Sequence, residues 1–346
     1  MPLAIATFDN RTGPSAFFKA IGHPLAAERI RGLLDELRAS PLAVYDPRGH
    51  AGDLFALFPA EGWRPAAYFV QRLEDLGRDL AGIPARPVGA IGATEAAALL
   101  VAAFDAGRFV RHLEPLLPAG CAVRTLDEAR IPERLLSNPS RYLDPLNFAT
   151  NHALFRDRDG LWTRLTTVNY WAGYGAAAPR LVLRLYDGEG RELAGWEEEL
   201  GSGARAIVID SRRVRRRFGL PPFAGTLFLH AVGIAGHDTI KYALDIGDSE
   251  GRIVSSTHDA NAFPADLYAG LPAPEPGQRV LLWLQNAHPT AVPAGAIALA
   301  RMGSEETRPV AVAIPPFGTA AVDVADVLPR MLWPAQIEVH ASRHVV

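Results

Sequence analysis

A chain of 346 residues, 49% hydrophobic and 21% charged, can bury a sizeable core, and its length fits two or three domains. Its formal net charge of -3 excludes a global basic field that would draw in nucleic acid or an anionic membrane, and it shows no acidic excess of the disordered kind. The single cysteine, Cys121, excludes disulfide frameworks and Cys-ligated zinc within one chain.

The opening "MPLAIATFDNRTGPSAFF" has neither a basic leader nor a continuous apolar region, and no later run reaches the roughly 20 apolar residues of a membrane span, so a cytoplasmic protein is expected. "HPLAAERIRGLLDELRAS" sets Leu25, Ile30, Leu33, Leu34 and Leu37 on one helical stripe. "PLAVYD" (41–46) reads as a buried strand, followed by the turn "PRGHAGD" and the short apolar segment "LFALF". "AAYFVQ" (66–71), "ARPVGAI" and "LLVAAFD" are further strands, a helix reaches about Leu117, and "CAVRTLDE" closes the series. This alternation predicts a parallel sheet with crossover helices, a Rossmann-like α/β layer over residues 1–140.

From about Tyr142 the helical signals fade into short β-runs separated by Gly, Pro, Asn and Asp: "LWTRLTTVNYW", "RLVLRLYD", "ARAIVID", "GTLFLHAVGI", "IKYALDI", "RVLLWLQN", "AIALARM", "VAVAIP", "TAAVDV" and "AQIEVH". Such spacing predicts β-sandwich or barrel architecture, and these runs fall into two ordered series. "GLWTRLTTVN" (160–169) answers "GQRVLLWLQN" (277–286), and "PRLVLRLYDGEGRELAGWEEEL" answers "GAIALARMGSEETRPVAVAIPP". "AIVIDSRRVRRRFGL" answers "TAAVDVADVLPRML", with Asp210 and Asp323 as caps of a following helix, and "FAGTLFLH" answers "WPAQIEVH", setting His230 against His340. The expected fold is therefore α+β and multidomain, an N-terminal α/β Rossmann-like parallel-sheet domain followed by two related antiparallel β-sandwich domains, 141–251 and 252–346. "FATNHALFRD" (148–157) and "HDANAFPAD" (258–266) are read as the openings of the two copies, Asn151 opposite Asn261 and Asp157 near Asp266. The second copy stops at "ASRHVV", short of a counterpart to "AVGIAGHDTIKYALDI", which leaves a β-edge through which a homo-oligomer could form.

The strands ending in Asn ("LTTVN", "LWLQN"), the hairpin "LRLYDGEG" and the passage "VAIPPFGTAAVDVADVLP" resemble the small β-sandwich modules of the sensory rhodopsin transducer family, over residues 142–346 taken as a tandem. The resemblance implies a ligand-binding or interaction module rather than an enzyme, and it carries no catalytic residue across. The N-terminal layer resembles, in strand order alone, the Rossmann-like accessory domains attached to some sugar-modifying enzymes.

Three places carry candidate chemistry. In "VYDPRGHAGDLF" (44–55) Arg48, Gly49, His50 and Gly52 stand where an α/β sheet meets a phosphate-bearing ligand, although the triple-glycine dinucleotide pattern is absent and Pro47 removes a donor. The residues His230, His237, Asp238, Lys241, His258, Asp259, Asn261 and Asp266 gather imidazoles and carboxylates, and His237, Asp238, His258 and Asp259 are the candidate metal ligands. Turn-forming Asp238 and Asp259 are the competing reading. In "NYWAGYGAAAPR" (169–180) Tyr170, Trp171 and Tyr174 form an aromatic loop suited to stacking on a sugar or a protein, or to folding Trp171 back over its own core. The five arginines of "SRRVRRRFG" (211–219) read as a solvated helix face or a contact with an acidic surface, not a nucleic-acid strip. The sequence thus points to a non-catalytic ligand-binding or protein-interaction protein, with carbohydrate as one candidate ligand, that takes a small molecule or protein partner and is expected to have no role with nucleic acid or membrane. The alternative is an enzyme with a nucleotide or sugar-nucleotide site in the N-terminal domain or a metal site near 230–266. No cofactor is identified.

Overall fold

The computed structural model describes residues 16–258 and 267–341, and two compact units divide the chain after Phe148. In the first, α1 (Ala16–Gly22) and α2 (Pro24–Arg38) lead to β1 (Leu42–Asp46), and α3 (Ala51–Leu57) leads to β2 (Ala67–Val70). A small hairpin follows, β3 (Asp79–Leu80) and β4 (Ile83–Pro84), then β5 (Arg86–Pro87), β6 (Ala98–Val101), α4 (Gly107–Leu113) and β7 (Ala122–Thr125). The five main strands form one parallel sheet in the order β5-β2-β1-β6-β7, so the chain reverses direction of travel across the sheet between β1 and β6.

β1, β2 and β6 are buried along their whole length, the pattern of strands covered on both faces, which is why they read as continuous apolar runs. Tyr45, Phe69, Leu99, Val101, Phe109 and Leu113 share one core, each worth about 1.5–3 kcal/mol of burial. The helical stripe of α2 buries Ile30, Leu33, Leu34 and Leu37 as spaced. One segment left open is assigned and one local expectation changes. "LFALF" lies mostly within α3, and "ARPVGAI" supplies only the two residues of β5 before a 3-10 turn over Val88–Ala93.

The second unit is built from antiparallel sheets. β8 (Ala149–Arg158), β9 (Leu161–Val168), β10 (Arg180–Asp187), β11 (Glu192–Glu199), β12 (Ala206–Asp210), α5 (Ser211–Phe218) and β13 (Phe223–Val232) are followed by β14 (Tyr242–Asp248) and β15 (Ile253–His258). β8 and β9 pair only at Asp157–Trp162 and Arg158–Leu161 beside their turn. Beyond it β8 belongs with β11-β10-β13, and β9 with β12 on one side and β14-β15 on the other. Next come β16 (Leu267–Leu271), β17 (Leu281–Gln285), β18 (Ala298–Arg301), β19 (Thr307–Pro309), β20 (Thr319–Asp323), α6 (Val324–Val327) and β21 (Ala335–His340).

The order β11-β10-β13-β8 recurs as β19-β18-β21-β16, and the pair β12-β9 recurs as β20-β17. Register agrees as well. Asp210 pairs Arg164 and Asp323 pairs Leu281, while Val182 pairs His230 and Ala298 pairs His340. Each aspartate also caps the helix it precedes: Asp210 accepts from the backbone N–H of Arg212 and Arg213, and Asp323 from that of Ala325 at 3.0 Å. The two sets of sheets touch through a ring stack of Tyr186 on Phe317 (5.7 Å), Arg156 over Trp283 (5.1 Å) and a backbone hydrogen bond from Thr319 to Gly188 (3.1 Å).

Three details depart from the sequence reading. "VAVAIP" is not a strand beyond an isolated bridge between Val292 and Ile314, because Pro309 ends the ladder of β19 just before it and Pro315, its last residue, is followed by Pro316. Strands β15 and β16 correspond to none of the runs read as strands from the sequence. The sheet register sets Asn151 beside Leu229 and Leu267 beside Val339, so the counterpart of β8 in the second set of sheets is β16; beyond His258 the expected opening "HDANAFPAD" falls on residues 259–266, including Asp259, Asn261 and Asp266, which lie outside the described residues.

Candidate functional site

The aromatic loop leaves β9 through Asn169, a fully buried side chain whose amide donates to the carbonyls of Gly201 (2.9 Å) and Gly203 (3.1 Å). Residues Tyr170–Tyr174 then make one 3-10 turn closed by Gly175 at φ 88°, a conformation that favours glycine. Trp171 is fully buried, and its indole N–H donates to the carbonyl of His237 at 2.9 Å. A buried tryptophan needs such a partner for its one polar atom. Tyr170 packs against it with ring centroids 4.4 Å apart and donates its hydroxyl to the Thr239 carbonyl. Trp171 therefore belongs to the core, as the competing reading of this loop had it.

Tyr174 is the residue left outside, with 54% of its surface exposed. Its hydroxyl lies 3.0 Å from His237 Nε2, and the His237 ring meets it edge-on at 5.0 Å. Gly236, at φ 79°, lets the loop before β14 lie directly on the tyrosine, where any Cβ would overlap the Tyr174 side chain. Two segments with separate roles in the sequence reading, Tyr170–Tyr174 and His237–Asp238, are thus one structure. The result is an exposed aromatic ring held edge-on by the His237 imidazole and flanked by Gly236, with the buried Trp171 indole anchoring the His237 carbonyl.

The candidate metal ligands do not converge in this way. His237 faces Tyr174, Asp238 follows it in the same loop, and His258 ends β15, exposed and in register with Ala243. His230 is fully buried near the end of β13. Among the described residues no three His, Cys, Asp or Glu side chains come together to hold a metal ion, and Asp259 lies outside those residues.

At the carboxyl end of β1 the turn carries Arg48, Gly49 and His50 toward Gly52 in α3, but its donors are already used. Asp46, 1% exposed, accepts from the backbone N–H of Arg48 (3.2 Å), Gly49 (2.7 Å), His50 (2.9 Å) and Ala51 (2.8 Å), and from the Tyr68 hydroxyl (3.3 Å). The amides that would face a ligand's phosphate surround a resident carboxylate instead. Burial and the adjacent Asp46 push the Tyr68 phenol well above its ordinary pKa. His50 stacks on Phe17 at 4.0 Å, and burial pulls its pKa down. Arg48 lies over Phe109, 5.6 Å from the ring centre. Beside Gly49, which adopts φ 81°, sits a charged cluster that sequence reading missed: buried Asp75 receives Arg72 at 2.5 Å and Arg78 at 2.9 Å. The Arg72 hydrogen bond holds the Asp75 carboxyl below the usual carboxylate range. The i, i+3 spacing of Arg72, Asp75 and Arg78 was its only signal in the sequence.

Compared with known proteins, the chain matches no family model and no curated sequence. Among the described residues no helix is long and apolar enough to cross a membrane.

Proposed function

We propose that this is a non-catalytic, carbohydrate-binding protein in which two related β-sandwich modules, preceded in the chain by a Rossmann-like α/β domain, present the Tyr170–Tyr174 loop to a sugar. The repeated strand order and the shared register of Asp210 with Asp323 support the tandem and agree with the resemblance to transducer-type modules. The order β5-β2-β1-β6-β7 supports the Rossmann-like assignment. Cytoplasmic residence and self-association through an edge strand belong to the same reading; β15 exposes Ile253 and Val254 at such an edge.

One observation carries the proposal: Tyr174 is an exposed ring whose position is already determined in the free protein. A ring face is a favourable platform for the apolar face of a sugar, and a side chain ordered before binding loses little further entropy on contact. The polar edge comes from the Tyr174 hydroxyl and His237.

A thermal-shift screen against mono- and oligosaccharides tests it. A sugar at about 100 times its dissociation constant should add roughly 2.7 kcal/mol of stability. Tyr174→Ala should abolish that gain while costing the free protein no more than ~1 kcal/mol, as for an exposed side chain. Trp171→Ala should instead cost about 3–5 kcal/mol with or without sugar. Absence of a saturable response, or a response that survives in Tyr174→Ala, would exclude this site.

A further inference from the structure

We infer that α5 forms a second binding site, separate from the aromatic platform, for a small molecule carrying a tetrahedral oxyanion, a phosphate or sulfate ester. Arg212, Arg215 and Arg216 follow i, i+3, i+4 spacing and so share one face of the helix. With Asp157, Gly219 and Leu220 they line an open cleft of about 630 Å³. The lining therefore sets three guanidinium groups against one carboxylate.

The helix sorts its arginines. Arg217 turns to Glu198 at 3.0 Å, and Arg213 is exposed outside the cleft lining. Arg212 lies over the Trp162 ring, 3.6 Å from its centre, and is gripped by Asp210 at 2.7 Å. Arg215 donates Nε to the Leu220 carbonyl at 3.2 Å and Nη1 to Asp157 at 3.3 Å. Two of the three forks are thus oriented before any ligand arrives, and each guanidinium has five N–H donors, more than these contacts use. Arg216 is exposed on the same cleft.

Helix electrostatics alone does not account for this set. The negative end of the helix dipole favours Arg215 and Arg216 in the last turn. The positive end disfavours a cation at Arg212 in the first turn, where the ring stack and Asp210 hold it in the cleft. A tetrahedral oxyanion offers three or more oxygens to three forks, whereas a carboxylate offers two. A nucleic acid would need a longer basic track than one helix face.

The test uses the full chain at constant ionic strength, titrated by calorimetry with pyrophosphate, with sulfate, and with acetate as the planar-carboxylate control. Saturable binding of pyrophosphate identifies a phosphate site and of sulfate a sulfate site. In either case Arg216→Glu should weaken binding about tenfold or more, and Arg213→Glu should leave it unchanged. Arg216→Gln repeats the measurement with a milder change, and circular dichroism confirms that each variant is folded. No saturable binding, equal binding in Arg213→Glu and Arg216→Glu, or acetate as effective as both tetrahedral anions would overturn the inference.

Discussion

His152 should make this protein acid-sensitive in a way that a single substitution removes. It lies buried on β8, with its ring centre 5.1 Å from that of Phe228, and its Nδ1 has no hydrogen-bond partner. Burial, with a smaller contribution from His288, pushes its pKa down to about 3. In the unfolded chain an imidazole titrates near pH ~6.5. The unfolded state therefore binds the proton first, so the stability this neutral histidine permits is complete above about pH 6.5. It declines as the pH falls, until the folded form also protonates near pH 3. One pKa unit is worth ~1.4 kcal/mol, so the loss is about 3 kcal/mol at pH ~4.5 and on the order of 5 kcal/mol across the window. Urea unfolding followed by tryptophan fluorescence, at neutral pH and at about pH 4.5, would compare the native chain with His152→Leu. The variant loses no Nδ1 hydrogen bond and should stay within ~1.5 kcal/mol of the native chain at neutral pH, then overtake it in acid. Parallel pH profiles for the two proteins would refute the argument.

Other perturbations have equally definite expectations. Asp46→Ala removes the acceptor of four backbone N–H groups and should cost roughly 3–5 kcal/mol in a thermal or urea melt. Gly190→Ala, at φ 75° and with its Cβ directed into the Pro316 carbonyl, should cost ~2–4 kcal/mol. Gly203→Ala, with open space around it, should stay within ~0.5 kcal/mol by the same measurement. Gly236→Ala, at φ 79° and with its Cβ directed onto Tyr174, should lower stability by roughly 1–3 kcal/mol in a melt and also displace Tyr174, so that sugar affinity falls in a titration of the folded variant.

Much of the fold was legible because it rests on local signals. The stripe of α2, the continuous apolar strands of the parallel sheet and the caps Asp210 and Asp323 all depend on spacing within a few residues. Strand β15 was not legible, since all six of its residues are exposed and no alternating apolar pattern marks it. The candidate site was half legible. Tyr170, Trp171, Tyr174 and His237 were all singled out, but the hydrogen bond that joins Tyr174 to His237 spans 63 residues and leaves no trace in local pattern. The arginines of α5 were visible as a run, yet their division between cleft, Glu198 and solvent depends on where β8 and β11 bring Asp157 and Glu198.

The turn after β1 carries its own counter-ion. Because Asp46 already engages the N–H groups of residues 48–51, this turn gains no order from an added anion. Those amides should exchange with solvent slowly, and at the same rate with or without phosphate in the buffer. A site that waits for its ligand is half-built until the ligand comes; here the first crossover of the parallel sheet is finished by the chain alone, and its folding is independent of what the cell supplies.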